Sequence, residues 1–292
     1  MSKGAKTFIL IASFLSFFVL TYLIVLYAYG YQFNFEKLKW VETGGLLIKT
    51  NMDGVEVFID GERQGKTSFL SETFVKKNLL PGEYNITLKK NGFPDLNKTI
   101  KVKSGEAVQL TNIYLPNSEE VADFVKNSEP VKENPNYFIS RADGLLYQRL
   151  EDEQIEKVSS ESVFLKNYKL KILQANIYLA SYDLKTPGVF SLDASGAWEK
   201  IHSSSSNDLI LSPDNKKIAI VGPNEISVLW LKNENEPPFF QKDRKELVIQ
   251  SENRIKQVFW FKTGWHLIYL TETGSTHFVE LDPTGGRSNL VI

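Results

Sequence analysis

The stretch VEVFIDGERQGKT, residues 55–67, contains a strand pattern that runs directly into a turn signal. Val55, Val57 and Ile59 fall on one face of a strand, because successive side chains point to opposite sides. Asp60-Gly61 follows at once, and this dipeptide suits a two-residue hairpin because both positions accept positive φ. The stretch therefore predicts a β-hairpin within a β fold.

Similar short runs extend on both sides of this hairpin. The strand-like runs are GLLIKT (45–50), EYNITLKKN (83–91), TIKVKS (99–104) and AVQLTNIYL (107–115), and turn residues separate them at 51–54, 79–82 and 91–92. The last two runs are predicted to pair with each other around Ser104-Gly105. Short strands punctuated by turns, without a helical period, predict a small β-sandwich over residues 44–115.

The same region, Gly44 to Leu115, resembles the PEGA domain family. The resemblance rests on GLLIKT, DGVEVFIDGERQGKT, LLPGEYNITLKKNGF and KTIKVKSGEAVQLTNIYL, and it includes Asp60, Gly61, Gly65, Thr67, Leu80, Pro81, Gly82, Tyr84, Lys90, Gly92 and Phe93. Two departures fall in turns: Asp53-Gly54-Val55 stands where the family often has proline and Gly-Ala, and Ser68 replaces a proline. The resemblance implies a surface-associated β-sandwich, often bacterial or archaeal, without known catalytic residues.

An uncharged run of 23 residues, Thr7 to Tyr29, precedes the β region. At 1.5 Å per residue a helix of this length measures roughly 34 Å, enough to cross a hydrocarbon core of about 30 Å. Aromatic residues gather at its exit, where amphipathic rings prefer the headgroup level. Residues 1–30 are therefore predicted to form a transmembrane anchor, with residues 7–29 in contact with the lipid bilayer.

A cleavable signal peptide is the alternative for this run, since Ala28 and Gly30 are small residues two apart. The run is longer than the usual signal-peptide core of about 7–15 residues, which favours an uncleaved signal-anchor. Lys3 and Lys6 indicate a cytoplasmic N-terminus, although lysines also flank the other end. We predict a single-pass protein of the cell membrane whose body is extracytoplasmic.

Two segments are predicted to connect larger parts. Residues 31–43 carry no strong period and are interpreted as a juxtamembrane spacer. Residues 116–136 are polar and contain three prolines, which predicts a linker and domain boundary. Within it, SEEVADFVKN can form a short helix with Ser118 as N-cap.

Residues 137–292 contain a loose repeat of about 40–45 residues, the size of a four-stranded propeller blade. Its units fall at 137–160, 163–206, 208–251 and 255–292, and SPDNKKIAI (212–220) resembles a strand entry of TolB-like and WD-type propellers, with Asn215 in place of glycine. We predict a β-propeller-like domain. The count of units leaves two alternatives open: a small or incomplete ring, or a sequence truncated at Ile292.

The chain offers little chemistry for catalysis. It has no cysteine and three histidines, and its formal net charge of −1 gives no general attraction to nucleic acid. His266 and His277 could meet in one hairpin, but strand packing is the preferred interpretation over a metal site. Asn85-Ile86-Thr87 and Asn97-Lys98-Thr99 match the glycosylation sequon and are interpreted as polar strand residues. No catalytic, cofactor-binding or metal residue is predicted, and no cofactor.

The basic residues of the sandwich are predicted to lie on its solvent face, with a basic binding patch as the alternative. They are Lys49, Arg63, Lys66, Lys76, Lys77, Lys89, Lys90, Lys98, Lys101 and Lys103.

These features together predict a mainly β, membrane-anchored, non-enzymatic protein that binds or scaffolds components of a bacterial cell envelope. The partner, an envelope polymer or a protein, stays open. Candidate contact segments are the turns 51–54 and 92–98 and an exposed neighbourhood at Trp260–Trp265. The alternatives are an accessory part of a propeller-type hydrolase truncated at residue 292 and an envelope assembly or secretion factor.

Overall fold

The computed structural model describes residues 3–35, 38–128, 136–173 and 176–292. The chain divides into two compact units, one formed by residues 1–115 with 283–288 and the other by residues 116–282 with 289–292. Strands dominate both units, and none of the sheets found in the described ranges is closed on itself. The fold is therefore mainly β with one N-terminal apolar helix.

Helix α1 spans Lys3–Ala28. From Thr7 to Ala28 it is long and apolar enough to cross a membrane by length and composition. Its large side chains, such as Phe8, Leu15 and Leu20, are exposed to solvent rather than packed against the chain. The helix is thus compatible with a membrane anchor or with a signal sequence.

The segment predicted as a spacer forms a hairpin. Strands β1 and β2 span Tyr31–Asn34 and Lys39–Glu42 and pair antiparallel, with Phe33 opposite Trp40. The Phe33 ring lies 5.5 Å from the Trp40 ring and 5.2 Å from the Phe35 ring, both edge to face. Lys37, one of the lysines that flank the far end of the apolar run, lies outside the described residues. Cross-strand aromatic contacts explain why a segment with weak alternation still forms strands.

The first unit contains a sandwich of two sheets. Its strands are β3 (Gly44–Lys49), β4 (Glu56–Ile59), β5 (Glu62–Lys66), β6 (Thr73–Leu79), β7 (Gly82–Lys89), β8 (Leu96–Val102) and β9 (Ala107–Leu110). One sheet has the order β6-β3-β9 and the other β5-β4-β7-β8. Both sheets bury one face in a shared cluster that includes Leu46, Ile48, Val57, Ile59, Ile86, Leu88, Ile100 and Leu110. That shared core stabilises the sandwich.

The hairpin predicted at Asp60-Gly61 is confirmed. Ile59 pairs with Glu62, which leaves a two-residue loop between β4 and β5. Asp60 and Gly61 have φ values of 51° and 82°, both positive, as a type I′ turn requires. Asp60 Oδ1 also accepts a 2.8 Å hydrogen bond from the Asn85 backbone N–H. The two turn residues and the hydrogen bond from strand β7 thus favour the same conformation.

The pairing predicted for the last two strands is wrong. Strand β8 pairs with β7, whereas β9 pairs in parallel with β3 in the opposite sheet. The chain between them, around Ser104-Gly105, crosses from one sheet to the other instead of closing a hairpin. Gly105 has a φ of 70°, which suits the turn.

Helix α2 of the second unit spans Ser118–Asn127, within the segment predicted as a linker. Its N-cap is Asn117 rather than Ser118, because the Asn117 side chain accepts a 2.9 Å hydrogen bond from the Glu119 N–H. Val121 is buried, and the Phe124 ring packs 5.2 Å from the Phe261 ring. This helix is therefore part of the second unit.

The other described residues of the second unit form four antiparallel sheets, each with its strands in chain order. The first holds β10 (Tyr137–Ile139), β11 (Leu146–Arg149) and β12 (Ile155–Lys157). The second holds β13 (Tyr168–Leu173), β14 (Asn176–Ser181), β15 (Gly188–Leu192) and β16 (Trp198–His202). The third holds β17 (Asp208–Leu211), β18 (Lys217–Val221), β19 (Glu225–Trp230) and β20 (Lys245–Gln250). The fourth holds β21 (Ile255–Trp260), β22 (His266–Thr271), β23 (Thr276–Glu280) and β24 (Asn289–Val291).

Neighbouring sheets of this unit share hydrophobic clusters. Side chains of the second and third sheets meet in a cluster with Leu173, Val189 and Ile218, and those of the third and fourth meet around Val228 and Leu267. The first strands of these sheets, β13, β17 and β21, lie next to one another. Polar groups on these three strands therefore come close together.

Candidate functional site

The neighbourhood predicted to be exposed at Trp260–Trp265 has exposed side chains at Lys262 and Thr263, but the prediction is wrong for Trp260 and Phe261, which are buried. The exposed fraction is 5% for Trp260 and 0% for Phe261. The Trp260 indole N–H donates a 2.7 Å hydrogen bond to the Ile210 carbonyl, which fixes the ring between β17 and β21. Side chains of α2 and of the fourth sheet cover the Phe261 ring.

The two turns predicted as contact segments of the sandwich are short, and hydrogen bonds or strand β8 hold their residues in place. In the turn 51–54, the Asn51 Oδ1 accepts a 2.9 Å bond from the Leu115 N–H, and the Lys90 Nζ donates a 2.5 Å bond to the Asp53 carbonyl. Within 92–98, strand β8 already begins at Leu96. Residues 51–54 are half-buried, and residues 92–95 form a short, partly exposed loop before β8.

Lys98 is buried, which corrects the prediction that all basic residues of the sandwich face solvent. Its exposed fraction is 2%, and its Nζ donates a 2.5 Å hydrogen bond to the Gly286 carbonyl. Lys98 shares its face of β8 with Leu96 and Ile100, because residues two apart along a strand point the same way. The strand alternation itself therefore assigns Lys98 to the inner face.

The two sequon motifs lie opposite each other on β7 and β8. The Thr99 hydroxyl donates a 3.0 Å bond to Asn85 Oδ1, and the Thr87 hydroxyl donates a 2.8 Å bond to Asn97 Oδ1. Each asparagine is thus engaged across the strand pair. This geometry agrees with their interpretation as polar strand residues.

The histidines considered as metal ligands are not brought together. His266 pairs with Glu280 and His277 pairs with Tyr269, which is three positions further along β22. An odd offset puts the two rings on opposite faces of the sheet. His266 Nδ1 lies 2.8 Å from the Thr263 hydroxyl, and the His277 ring stacks on Tyr269 at 4.4 Å. Across the described ranges, no three His, Asp or Glu side chains are grouped as a metal site.

A cavity of about 430 Å³ opens where the first strands of the second, third and fourth sheets meet. Its apolar wall includes Ile210, Val258 and Phe259. Its polar lining consists of Ser128, Asn207 and Gln257 together with the charged residues Lys169, Lys171, Asp208 and Lys256. We name this space the three-strand cavity.

The charged part of the three-strand cavity is organised around Asp208. Lys171 Nζ lies 2.9 Å from Asp208 Oδ1, and Lys169 Nζ lies 3.0 Å from Oδ2. Lys169 and Lys171 are two residues apart on β13, so both side chains extend from the same face. The Lys171 side chain is only 5% exposed. One carboxylate thus holds two ammonium groups against the same wall.

Asp208 is ionised near neutral pH. Burial raises the pKa of its carboxyl, but hydrogen bonds from Lys171 and Lys169 outweigh that effect and leave the pKa below its ordinary value. Three lysines and one carboxylate are the charged residues known to line the cavity. The lining therefore carries an excess of positive charge.

Sequence reasoning missed these residues, although a signal for Lys169 and Lys171 was present. The segment YKLKIL (168–173) has two lysines on one face of a predominantly apolar strand. Two like charges at positions i and i+2 are costly on a buried face unless a counter-charge is near. The counter-charge, Asp208, lies in the next sheet and could not be assigned from the strand itself.

A second buried charge cluster lies at the start of β18. Lys217 Nζ is 2.8 Å from Asp214 Oδ2 and 2.8 Å from Glu234 Oε1, and it lies 4.6 Å from the Trp265 ring centroid. The Lys217 side chain is fully buried. Its two carboxylates and its aromatic neighbour satisfy it without an accessible donor, so we assign this cluster a structural role.

The family comparison identifies one part of the chain. A model of the PEGA domain matches residues 43–118, so the resemblance found for residues 44–115 is confirmed there. PEGA domains suggest a surface-associated, extracellular setting. The comparison with curated proteins gives no significant match.

Solved structures align with much of the chain at low similarity. A protein from Lactobacillus plantarum has 11% identity and a TM-score of 0.35, with 82% of each chain covered. A luciferin-regenerating enzyme has 13% identity and a TM-score of 0.35, covering 72% of this chain and 69% of the other. A protein of unknown function from Desulfotomaculum acetoxidans has 12% identity and a TM-score of 0.32, covering 82% and 69%. Scores at this level assign neither a shared fold nor an activity.

Proposed function

We propose that this chain is a single-pass, membrane-anchored protein that holds its two β units on the extracytoplasmic side and acts by binding rather than by catalysis. The observation that carries the proposal is helix α1, whose 22-residue apolar part, Thr7–Ala28, leaves its large side chains exposed. A helix that is apolar on all faces and not covered by protein is stable when lipid surrounds it.

The residues after the helix support retention of the anchor. Tyr27, Tyr29 and Phe35 are exposed, and Phe33 packs against Trp40 in the hairpin that follows. Aromatic rings of this kind prefer the membrane–water interface. A hairpin rich in aromatic side chains directly after the apolar helix suits a chain that stays at the membrane surface.

The binding role is supported by the architecture that the anchor carries. A sandwich with the PEGA pattern suggests a surface protein. In the second unit we propose that the four sheets act as blades of a β-propeller-like assembly, because each is an antiparallel meander and the first strands of the second, third and fourth sheets are adjacent in turn. Such scaffolds present loops and a central space to a partner. We propose that the partner is a polymer or a protein of a bacterial-type cell envelope.

Protease treatment of intact spheroplasts tests the proposed orientation. We expect a protease added outside to degrade the body of the membrane-bound protein while a cytoplasmic marker survives. A matched sample of permeabilised cells shows that the marker is itself cleavable. A body that is protected in intact spheroplasts and digested after permeabilisation would contradict the extracytoplasmic placement.

The nature of the partner is tested by recovery from membranes. The intact protein, extracted in mild detergent, is captured through a C-terminal tag, and the co-purifying material is analysed for both carbohydrate and protein. Recovery of an envelope polymer or of one defined protein, in proportion to the bait, is the expected result. Turnover of an ester or lactone substrate by the purified protein would contradict the non-enzymatic role.

A further inference from the structure

We propose that the three-strand cavity binds a carboxylated sugar unit, with the carboxylate beside Lys169 and Lys171 and the sugar body along the apolar wall. This inference rests on the proposed binding function and specifies the ligand class. Three features of the cavity support it: the charge of the lining, the hydrogen-bonding capacity of the lysines and the composition of the remaining wall.

The charge of the lining favours an anion. Lys169, Lys171 and Lys256 face a single lining carboxylate, Asp208, so the residues known to line the cavity have a formal charge of +2. Low-dielectric walls strengthen the field of charges that they enclose. A ligand carboxylate would offset part of this positive charge, whereas a neutral ligand would leave all of it in place.

The lysines also retain hydrogen-bonding capacity. An ammonium group has three N–H donors. The contacts of Lys169 and Lys171 with Asp208 use one donor from each. Asp208 holds both ammonium groups at the wall of the cavity. Less side-chain entropy is therefore lost when a ligand binds to them. The lysines are therefore pre-oriented, and their remaining donors can bond a second carboxylate.

The rest of the lining suits a hydroxylated body rather than a long hydrocarbon chain. Asn207 and Gln257 contribute amide groups, which can donate to and accept from sugar hydroxyls. Phe259 and Trp260 also belong to the lining, although both residues are largely buried. A volume of about 430 Å³ is in the range of small-molecule sites and accommodates a short fragment, not an extended polymer segment.

Isothermal titration of the full-length protein in detergent micelles tests the inference. The probes are D-glucuronate, the matched neutral sugar D-glucose and inorganic phosphate, at constant ionic strength. We expect saturable one-to-one binding of glucuronate and no comparable binding of the other two. A glucuronate-containing oligosaccharide is the fourth probe. If it binds more tightly than the monosaccharide, the ligand is a unit of a polymer. If it binds equally or more weakly, the ligand is a free sugar acid. Either result supports the assignment.

Single-charge variants connect the binding to the cavity. Lys169→Gln should weaken glucuronate binding about tenfold, as expected for loss of one charge-assisted contact, and Lys256→Gln should weaken it less, because Lys256 contributes charge to the lining without a proposed contact to the carboxylate. Lys157→Gln, an exposed lysine of β12 outside the lining, is the matched control and should leave the affinity unchanged. Circular dichroism checks that each variant is folded.

The inference is overturned if the folded protein does not bind glucuronate, if glucose or phosphate binds as well, or if Lys157→Gln has the same effect as the cavity variants. Sedimentation of the same variants with membranes is measured in parallel. Membrane association that persists while glucuronate fails to bind would reject the ligand class alone, whereas loss of membrane association would count against the proposed function.

Discussion

Lys217 Nζ and Glu234 Oε1 lie 2.8 Å apart, with exposed side-chain fractions of 0% and 6%. The ammonium group also contacts Asp214 Oδ2 at 2.8 Å. Burial raises the pKa of the Asp214 carboxyl, but bonds from Lys217 and Ser212 lower it below its ordinary value, so this partner is ionised at neutral pH. Lys217 therefore contacts both carboxylates, and Glu234 has a second cation in Lys216, whose Nζ lies 2.9 Å from Oε2.

Removing the Lys217 ammonium group should destabilise the folded protein. We expect Lys217→Met to lower the free energy of unfolding by about 3–5 kcal/mol, because it leaves the Asp214 carboxylate without its buried counter-charge and Glu234 with the more exposed Lys216 alone. Denaturant unfolding followed by tryptophan fluorescence measures the change, since Trp265 lies against the ammonium group. Glu234→Gln is the matched variant and should cost less, because Lys217 keeps Asp214. Equal costs for the two variants would argue against Lys217 as the buried counter-charge of Asp214.

Asn215 has a φ of 57° in the turn that leads into β18. Left-handed backbone costs an ordinary L-residue about 1–2 kcal/mol, whereas glycine and asparagine tolerate it. We therefore expect Asn215→Ala to destabilise the protein by about 1 kcal/mol and Asn215→Gly to change stability by less than about 0.5 kcal/mol. Thermal unfolding of the two variants measures the difference. A glycine variant as unstable as the alanine variant would point to the asparagine side chain instead.

Local chemistry is the part of this fold that its sequence predicts well. The turn at Asp60-Gly61 follows from two adjacent residues that accept positive φ, and both have it. The PEGA pattern likewise places short strands and turns in order over residues 43–118. Helix α1 follows from an uninterrupted apolar run. Each of these features depends on residues close together in the chain.

Pairings between distant segments are the part that could not be predicted. Strand β9 pairs with β3, about sixty residues upstream, and no local pattern distinguishes that parallel partner from an adjacent hairpin. The three-strand cavity depends on the same kind of information. Lys171 and Asp208 belong to different sheets, so the charge pair becomes visible only when those sheets are adjacent. Turn chemistry could be predicted, whereas this site could not.

The proposed membrane anchor can be tested by placing a charge in the middle of helix α1. We expect Leu15→Arg to shift the protein from the membrane pellet to the soluble fraction, because an arginine at the centre of a spanning helix costs about 2.5–3.5 kcal/mol on insertion scales. Resistance to alkaline carbonate extraction is the measurement. Leu15→Ile keeps the apolar surface and should behave as the unmodified protein does. Full retention of the arginine variant would contradict a spanning role for α1.

His202 links the second and third sheets and should make stability depend on pH. Its Nε2 lies 3.8 Å from Glu225 Oε1, and its side chain is almost fully buried. Burial and then the charge of Lys245 lower the pKa of His202, and these effects outweigh Glu225, which raises it. The imidazole in the folded protein therefore stays neutral at pH values where the unfolded chain is already protonated.

The sign of the effect follows from proton binding. Between the unfolded pKa of about 6.5 and the lower folded value, the unfolded state binds more protons, so stability falls as the pH decreases, by up to about 1.4 kcal/mol per pH unit. We expect His202→Gln to reduce the loss of stability between neutral and mildly acidic pH. Glu225→Gln should increase this loss of stability, because the Glu225 charge that raises the pKa of His202 is then absent. Urea unfolding at several pH values measures the slopes, and identical slopes in all three proteins would exclude His202 as the titrating group.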